Sequence, residues 1–318
     1  MSVEPLFLDS VLQEKLWGGE HLKSFGYDLP SDKIGEYWAI SAHPHGVSTI
    51  KNGQFSGQKL DKVFDQHREL FGNTDEKVFP LLTKILDAND WLSVQVHPND
   101  EYGMKHEGEL GKTECWYIIS AEEDSEIIYG HNATSREELK KMIQSADWSH
   151  LLRKVKVKAG DFFYVPAGTM HAIGAGIVIL ETQQSSDTTY RVYDFDRKDD
   201  HGNLRELHIQ QSIDVLHIPG DQTPENKIQV VKGENADLST LVNSDFFDVY
   251  KWSIHGRQAF EARADYMLVS VLEGQGKLIV ADKTYPLSKG DHFILPTGID
   301  KWELSGNMEI IASNPVAH

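Results

Sequence analysis

Gly160-Asp161-Phe162-Phe163-Tyr164-Val165-Pro166-Ala167-Gly168-Thr169-Met170-His171 decides the fold, because the chain carries the pattern twice. Gly290-Asp291-His292-Phe293-Ile294-Leu295-Pro296-Thr297-Gly298-Ile299-Asp300-Lys301 keeps the glycine, aspartate, proline and second glycine at the same offsets. An internal repeat is weighed first, since missing it misassigns the architecture. In each copy Gly-Asp opens a tight turn, a run too short for a helix forms a strand, and Pro-x-Gly closes it. Proline cannot donate to a central ladder, so the strand stops there and the next side chains can turn into a barrel mouth. One position changes chemistry: the first copy ends in His171, the second in Lys301. A neutral imidazole ligates a metal and a protonated ammonium does not. Two similar β modules follow, the first with a metal site and the second without.

The repeated unit resembles the second conserved motif of cupins, small β-barrels with a metal in the mouth. At 318 residues the chain is long enough for two barrel-sized domains. The expected fold is mainly β, a bicupin of two β-barrel or jelly-roll domains with a few helices inserted in the N-terminal part. Residues 1–235 would form the first domain and 236–318 the second, with a polar stretch from Pro219 through Asp221, Pro224, Glu225 and Asn226 at the boundary. The second barrel's apolar alternation starts near Phe246 and continues in strands at 251–254 and 267–272. Three segments break the strand rhythm. Leu60, Val63, Phe64, His67, Leu70 and Phe71 recur at helical spacing, with Gly72 as a stop. Ser135 and Glu138 form a capping box for a helix running to about Trp148, with a further turn near Leu151. A third helix is expected over 207–216.

Composition narrows the function. The net charge of −18 lacks the basic footprint that nucleic acid requires. A phosphorylated ligand would need a local basic pocket. One cysteine, Cys115, excludes an intramolecular disulfide and fits a reducing compartment. Acidic Glu4 and the lack of a long apolar core argue against a signal peptide. No run approaches the roughly 18 apolar residues that would span a bilayer. The expectation is a cytoplasmic protein.

Metal donors must converge from different strands. In Ser93-Val94-Gln95-Val96-His97, alternation puts Ser93, Gln95 and His97 on one face. In Lys112-Thr113-Glu114-Cys115-Trp116-Tyr117, Lys112 and Glu114 share a face while Cys115 points the other way, toward a core. His97, Glu114 and His171, with the amide oxygen of Gln95, suit zinc or another borderline divalent ion, one per chain. One carboxylate leaves a Zn²⁺ centre at +1, still a Lewis acid. Most of the 15 histidines do nothing chemical. His43 and His45 have no carboxylate in strand alternation and read as loop packing. His106, His131, His201 and His318 read as surface residues.

These motifs, in order, resemble type I mannose-6-phosphate isomerases, closest to the short bacterial forms. Gln95-Val-His97-Pro, Lys112-Thr-Glu114 and His171 match the metal motifs, and Glu181-Thr-Gln-Gln-Ser-Ser-Asp187-Thr-Thr-Tyr-Arg191 matches the family's Glu…Ser-Asp-Asn…Arg signature. The resemblance covers nearly the whole chain. It implies a bicupin, one zinc, and interconversion of mannose 6-phosphate and fructose 6-phosphate. It makes Gln95, His97, Glu114 and His171 the metal ligands and Arg191 the catalytic arginine. It adds Lys84, Ser93, Lys112, Glu181 and Asp187 to the active site. Thr188 stands where the family has Asn, Ile173 replaces an aromatic of longer members, and Arg197 replaces their lysine.

Aldose–ketose isomerisation builds negative charge on oxygen in an enediol(ate). A metal and Arg191, which cannot lose its charge at neutral pH, would oppose that build-up. Glu181, Asp187 and Lys112 are all candidates for the proton shuttle. Alternation alone leaves Glu181 either inward or solvent-facing. Without the resemblance, Arg191 reads as an ion pair with Asp194 or Asp196, and Arg197 as one with Asp196 or Asp199. Arg197, Ser93 and Lys84 are the candidates for substrate contact, Arg197 at the phosphate. Two other classes compete: a non-catalytic sugar-phosphate-binding cupin, and a metal-dependent cupin oxygenase. The oxygenase needs a redox metal and more histidines, and the basic set Lys84, Lys112, Arg191 and Arg197 argues against it. Oligomeric state is not encoded in any feature of the sequence.

Overall fold

The two copies of the repeat fold alike. The computed structural model describes residues 3–199, 201–223 and 228–316. Gly160 and Gly290 have φ of +90° and +91°, and Gly168 and Gly298 have +89° and +95°. These are left-handed conformations that only glycine adopts without strain. Between them run the strands Phe162–Val165 and His292–Leu295. The turn aspartates also act alike: Asp161 accepts from the Lys158 N–H at 2.9 Å and Asp291 from the Ser288 N–H at 2.7 Å.

The ladder partners correspond as well. Val165 pairs with Glu114, and Leu295 pairs with Met267. The Gly160 N–H bonds to Ile118 O and the Gly290 N–H to Val271 O, both at 2.9 Å. Strand Glu114–Ala121 is thus matched by strand Met267–Val280, with Met267 in the place of Glu114 and Lys301 in the place of His171.

Among the described residues the strands form sheets of ten, six and five. The six-stranded sheet runs Phe162–Val165, Glu114–Ala121, Ile177–Gln184, Leu81–Ala88, Ile34–Ile40, Val11–Gly19. The five-stranded sheet runs Tyr190–Tyr193, Val94–Val96, His171–Ile173, Glu126–His131, Leu152–Lys156. A core containing Leu86, Trp116, Ile118, Ile127, Tyr129, Ile173 and Ile179 joins residues of these two sheets. Cys115 is buried in a different core, with Ile85 and Leu180, on the opposite face of the six-stranded sheet, as alternation requires.

The ten-stranded sheet holds the C-terminal strands, but it also takes in Leu6–Asp9 and Thr49–Ile50 from the N-terminal region. Leu6 pairs with Ile294 and Phe7 with Phe293. At its other edge lie Gln229–Lys232 and then Ala236–Asn243, so the sheet starts ahead of Phe246. Pro224, Glu225 and Asn226 of the polar stretch lie outside the described residues, as does His318.

The helical segments follow the periodicity with shifted ends. Leu60–Gln66 is α-helical and Arg68–Phe71 continues as a 3₁₀ turn that stops at Gly72, φ +74°. Ser135 caps Arg136–Gln144 by accepting from the Glu138 N–H. The reciprocal bond of the capping box goes one residue further out: Glu138 accepts from the Thr134 N–H at 2.7 Å. This helix ends at Gln144, and Trp148–Leu151 is a separate turn of helix, divided from it by Ala146 at φ +51°. Ile209–Val215 is the third helix. Asp100–His106 is a helix that periodicity does not announce; Asn99 caps it.

A Cβ on Gly168 would lie 2.5 Å from His217 Nε2, whereas one on Gly298 would meet only Val3 Cγ2 at 3.1 Å. Gly168→Ala should therefore destabilise by about 1–3 kcal/mol and by more than Gly298→Ala. Urea unfolding of both variants measures this, and a neutral Gly168→Ala would contradict the reading.

Candidate metal centre and active site

The registers of the two facing sheets bring the candidate donors together. In the five-stranded sheet Gln95 lies between His171 on one neighbouring strand and Arg191 on the other. Paired residues in a ladder project to the same face, so all three share one side. In the six-stranded sheet Glu181 pairs with both Lys84 and Trp116, and Glu114 lies two residues before Trp116. Period-two alternation therefore puts Lys84, Glu181, Trp116 and Glu114 on one face. Ligating atoms of His97, Glu114 and His171 lie within 4.8 Å of one another, and all three residues are buried.

The hydrogen bonds behind the histidines define their tautomers. His97 Nδ1 lies 2.9 Å from the carbonyl of Thr188, and His171 Nδ1 lies 2.9 Å from that of Thr169. A carbonyl only accepts, so both Nδ1 atoms carry the proton and both Nε2 atoms present lone pairs. Each Nε2 then faces a carboxylate oxygen of Glu114 at 3.3 Å. Burial, then Lys112, push His97 down to about 3, and burial, with a smaller effect of Lys112, lowers His171 despite Glu114. Neither ring is protonated at neutral pH. Burial opposes the charge on Glu114, but the Lys112 ammonium beside it favours that charge, and its pKa lies well below the usual carboxylate range. His97 Nε2 and Glu114 Oε2 are buried with no hydrogen-bond partner. Lone pairs aimed at an anion in a buried site need a cation between them. The donor set fits a divalent metal ion. Gln95 Nε2 lies 3.4 Å from His171 Nε2, so the glutamine would add its oxygen only after an amide flip.

Around this centre is a buried charge network. Lys112 Nζ is 3.5 Å from Glu114, and Trp116 Nε1 donates to both Glu114 at 3.1 Å and Glu181 at 2.9 Å. Lys84 Nζ lies 3.1 Å from Glu181 and 3.7 Å from Glu36. Burial opposes the Lys84 charge, but Glu181 and Glu36 hold its pKa above the usual lysine range. Burial, with Glu114 nearby, raises Glu181. Glu181 is only 3% exposed, which resolves the even alternation choice in favour of the interior.

A cavity of about 280 Å³ opens beside the network, lined by Lys84, Ser93, Gln95, Lys112, Glu181, Asp187 and Arg191, and also by Lys15, Glu36 and Arg205. A larger cavity of about 770 Å³, lined by Phe71, Arg263 and Tyr266 among others, contains none of the candidate residues. Asp187 Oδ2 accepts from His45 Nδ1 at 2.9 Å, and His43 Nε2 lies 3.4 Å from Glu109. The carboxylates missing from strand alternation thus reach the two histidines from other loops. Burial tends to raise Asp187, but His45 and Lys84 hold it below its usual range.

Three readings need correction. Arg191 pairs with neither Asp194 nor Asp196; its Nη1 donates to the carbonyl of Glu206 at 2.7 Å and its buried Nε has no partner. Arg197 does not line the cavity. Phe195 and Asp196 both turn back at positive φ, +57° and +53°, so Arg197 folds onto Asp194 at 2.6 Å and the Trp91 carbonyl at 2.6 Å, with Asp90 at 3.3 Å. His131 is buried, its Nε2 2.9 Å from the His217 carbonyl, while His106 and His201 are exposed.

Glu36, Trp116 and Arg205 were not singled out from sequence, and His45 was read only as loop packing. A signal existed for two of them. Trp116 is two residues from Glu114, and Glu36 is the one carboxylate in the apolar strand Ile34–Ile40. Arg205, in Asn203-Leu204-Arg205-Glu206, and His45, whose carboxylate is 142 residues away, gave none.

This architecture and donor set define a class. The catalytic domain of type I phosphomannose isomerase matches residues 6–118, and the mannose-6-phosphate isomerase cupin domain matches residues 237–315. The chain belongs to the mannose-6-phosphate isomerase family. It is 62% identical over 314 residues, 98% of each chain, to the mannose-6-phosphate isomerase of Streptococcus mutans serotype c. It is 52% identical over 316 residues, 99% of this chain and all of the other, to a Bacillus subtilis mannose-6-phosphate isomerase. The crystal structure of a mannose 6-phosphate isomerase from Bacillus subtilis superposes with TM-score 0.95 at 47% identity, covering 98% of this chain and 100% of that one.

If His97, Glu114 and His171 hold the ion, Glu114→Gln should strip most of it, because Glu114 is the anion of the donor set. Elemental analysis of the purified variant tests this. Full metal content in either Glu114→Gln or His171→Ala would remove that residue from the ligand set.

Proposed function

We propose that the protein interconverts D-mannose 6-phosphate and D-fructose 6-phosphate, an aldose–ketose isomerisation through an enediol(ate). The observation that carries the proposal is the pair of histidine lone pairs facing the Glu114 carboxylate behind the cavity-lining Gln95 and Lys112, in a chain that shares 62% identity with a mannose-6-phosphate isomerase. His97, Glu114, His171 and a flipped Gln95 would hold one ion, and zinc suits two imidazoles and a carboxylate. Such an ion supplies Lewis-acid stabilisation of negative charge developing on oxygen.

The chain's own residues do the rest. Arg191 brings a fixed positive charge to the cavity wall, and among the described residues it has no carboxylate partner. It can therefore act on charge that develops during reaction. Lys112, held against Glu114, can donate to a substrate oxygen. Of the three proton-shuttle candidates Asp187 suits best. Glu181 is engaged by Lys84 and Trp116, and Lys112 by Glu114, whereas Asp187 lines the cavity in its ionised form with an exposed histidine at its back. Ser93 and Lys84 line the same wall and serve substrate contact. Glu181 with Glu36 keeps Lys84 charged.

At the level of the fold, the two copies of the repeat support a bicupin with a catalytic module at 1–235 and a second at 236–318, the first lending Leu6–Asp9 to the sheet of the second. Met267 and Lys301 support a second module without a metal. Among the described residues no helix is long and apolar enough to cross a membrane; with the lone cysteine this supports a cytoplasmic enzyme. The oxygenase alternative gains nothing from a cavity whose cations are Lys15, Lys84, Lys112, Arg191 and Arg205.

A coupled assay for fructose 6-phosphate formed from mannose 6-phosphate, with and without chelator, tests the function directly. Turnover that chelator abolishes and divalent metal restores is expected; tight binding of the sugar phosphate without turnover would favour the sensor reading. Arg191→Ala should lower kcat by about 10²-fold or more, as for loss of one preorganised electrostatic group. A raised KM at unchanged kcat would make Arg191 a binding residue instead.

A further inference from the structure

The cavity has a cationic end that neither the strand alternation nor the family match points to. Arg205 lines it beside Arg191, with the hydroxyl-bearing residues Ser93 and Thr189. Ser93 and Gln95 lie on the same face of one strand, and Thr189 and Arg191 on that of its neighbour, where Arg191 pairs with Gln95. These four residues therefore form one patch of wall, and Arg205 reaches it from the loop that follows.

Arg205 is held in place from behind. Its Nε donates to Asp194 Oδ2 at 2.7 Å and its Nη2 to Asp194 Oδ1 at 2.5 Å, a bidentate fork. Asp194 is 4% exposed and also takes Arg197 Nη2 at 2.6 Å. Two guanidiniums thus share one buried carboxylate, and Asp90 meets Arg197 on its exposed side. The Asp194 contacts use Nε and Nη2 of Arg205 and leave Nη1. The lysines of the cavity are committed to carboxylates: Lys84 to Glu181 and Glu36, Lys112 to Glu114, and Lys15 to Glu36 at 3.4 Å.

Recognition of a phosphate dianion in a protein of net charge −18 needs cations not already neutralised. Arg191 and Arg205 are the cavity's two guanidiniums, and Arg205 is fixed by a partner that still leaves a donor edge. Resting on the isomerase reading above, we propose that Arg205 is the phosphate-recognising residue of the cavity, with Asp194 as its positioning residue and Arg197 as the counter-cation that keeps Asp194 from cancelling it. The ligand class is a sugar phosphomonoester, bound with the sugar toward the metal ligands and the phosphate toward Arg205. The conclusion differs from the sequence expectation, which gave this role to Arg197.

The test compares Arg205→Ala, Arg205→Lys and Arg197→Ala in the metal-loaded enzyme, with mannose 6-phosphate, unphosphorylated mannose and inorganic phosphate as probes. Arg205→Ala should raise KM for mannose 6-phosphate about 10-fold or more, as for loss of a charge-assisted contact of at least about 1.4 kcal/mol. The ratio of kcat/KM for mannose 6-phosphate to that for mannose should fall by the same factor. Competitive inhibition by inorganic phosphate should weaken in parallel. Arg205→Lys, which keeps charge but loses the fork, should fall between wild type and Arg205→Ala. Arg197→Ala should change the selectivity ratio less than Arg205→Ala. Equal losses on both sugars, an unchanged KM in Arg205→Ala, or a larger selectivity loss in Arg197→Ala would each overturn the assignment. If Arg205→Ala proves unstable by thermal melting, Arg205→Lys and phosphate inhibition carry the test alone. Failure of wild type to turn over mannose 6-phosphate would instead sink the functional reading, which separates the two failures.

Discussion

Two backbone carbonyls hold the centre of this protein in its working form. Thr188 O and Thr169 O each accept the Nδ1 proton of one histidine, and both rings are thereby obliged to show lone pairs to Glu114. In a buried site, lone pairs that face a carboxylate repel it unless a cation binds between them. The persistence of that arrangement is understandable only if a cation completes it. The surrounding network obeys the same constraint. Lys112 offsets Glu114 on one side, Trp116 ties Glu114 to Glu181, and Lys84 neutralises Glu181 and Glu36 behind it. Each buried charge has an opposite neighbour, so adding a divalent ion raises the net charge of the wall without leaving another group unpaired.

The carbonyls come from different structural sources, and both depend on loops. Thr169 lies in the Pro-x-Gly turn of the repeat. Thr188 lies in the segment 186–188, which Glu109 secures by accepting from Ser186 Oγ at 3.2 Å, the Asp187 N–H at 3.2 Å and Thr188 Oγ1 at 3.1 Å. Glu109 acts on the metal site through hydrogen bonds to a loop, and His43 backs it from the other side. The same loop carries Asp187 into the cavity, so the tautomer of His97 and the position of the proposed base share one support.

What was legible in the sequence follows from which interactions are local. The repeat is a recurrence of turn residues at fixed offsets, and the strand faces of Gln95, His97, Glu114 and Lys112 and the core position of Cys115 derive from period-two alternation; the structure places them accordingly. Helix ends were less legible, because Ala146 at positive φ and the outward reach of Glu138 to Thr134 are decided by a single turn each. The partners of the arginines were illegible for a different reason. Arg197 stands where the resemblance puts a basic residue, but two residues in left-handed conformation reverse the chain between it and Arg191. Arg205 takes its place through a loop whose path no periodicity encodes. The pairing of Leu6–Asp9 with His292–Leu295 spans nearly the whole chain, so no local pattern reports it.

The repeat also shows how far one backbone can serve two purposes. Both copies use the same glycine conformations, the same aspartate turn and the same ladder register, which are requirements of chain geometry. The copies differ at two side chains that the geometry leaves open, Glu114 against Met267 and His171 against Lys301. Met267 is buried in the second module's apolar core, and Lys301 lies at the surface 3.0 Å from Glu261. Restoring a carboxylate at 267 would put an uncompensated charge into that core, at a cost of several kcal/mol. Packing thus fills the Glu114 position of the second copy with an apolar side chain, while the sheet of that copy takes in the strand Leu6–Asp9.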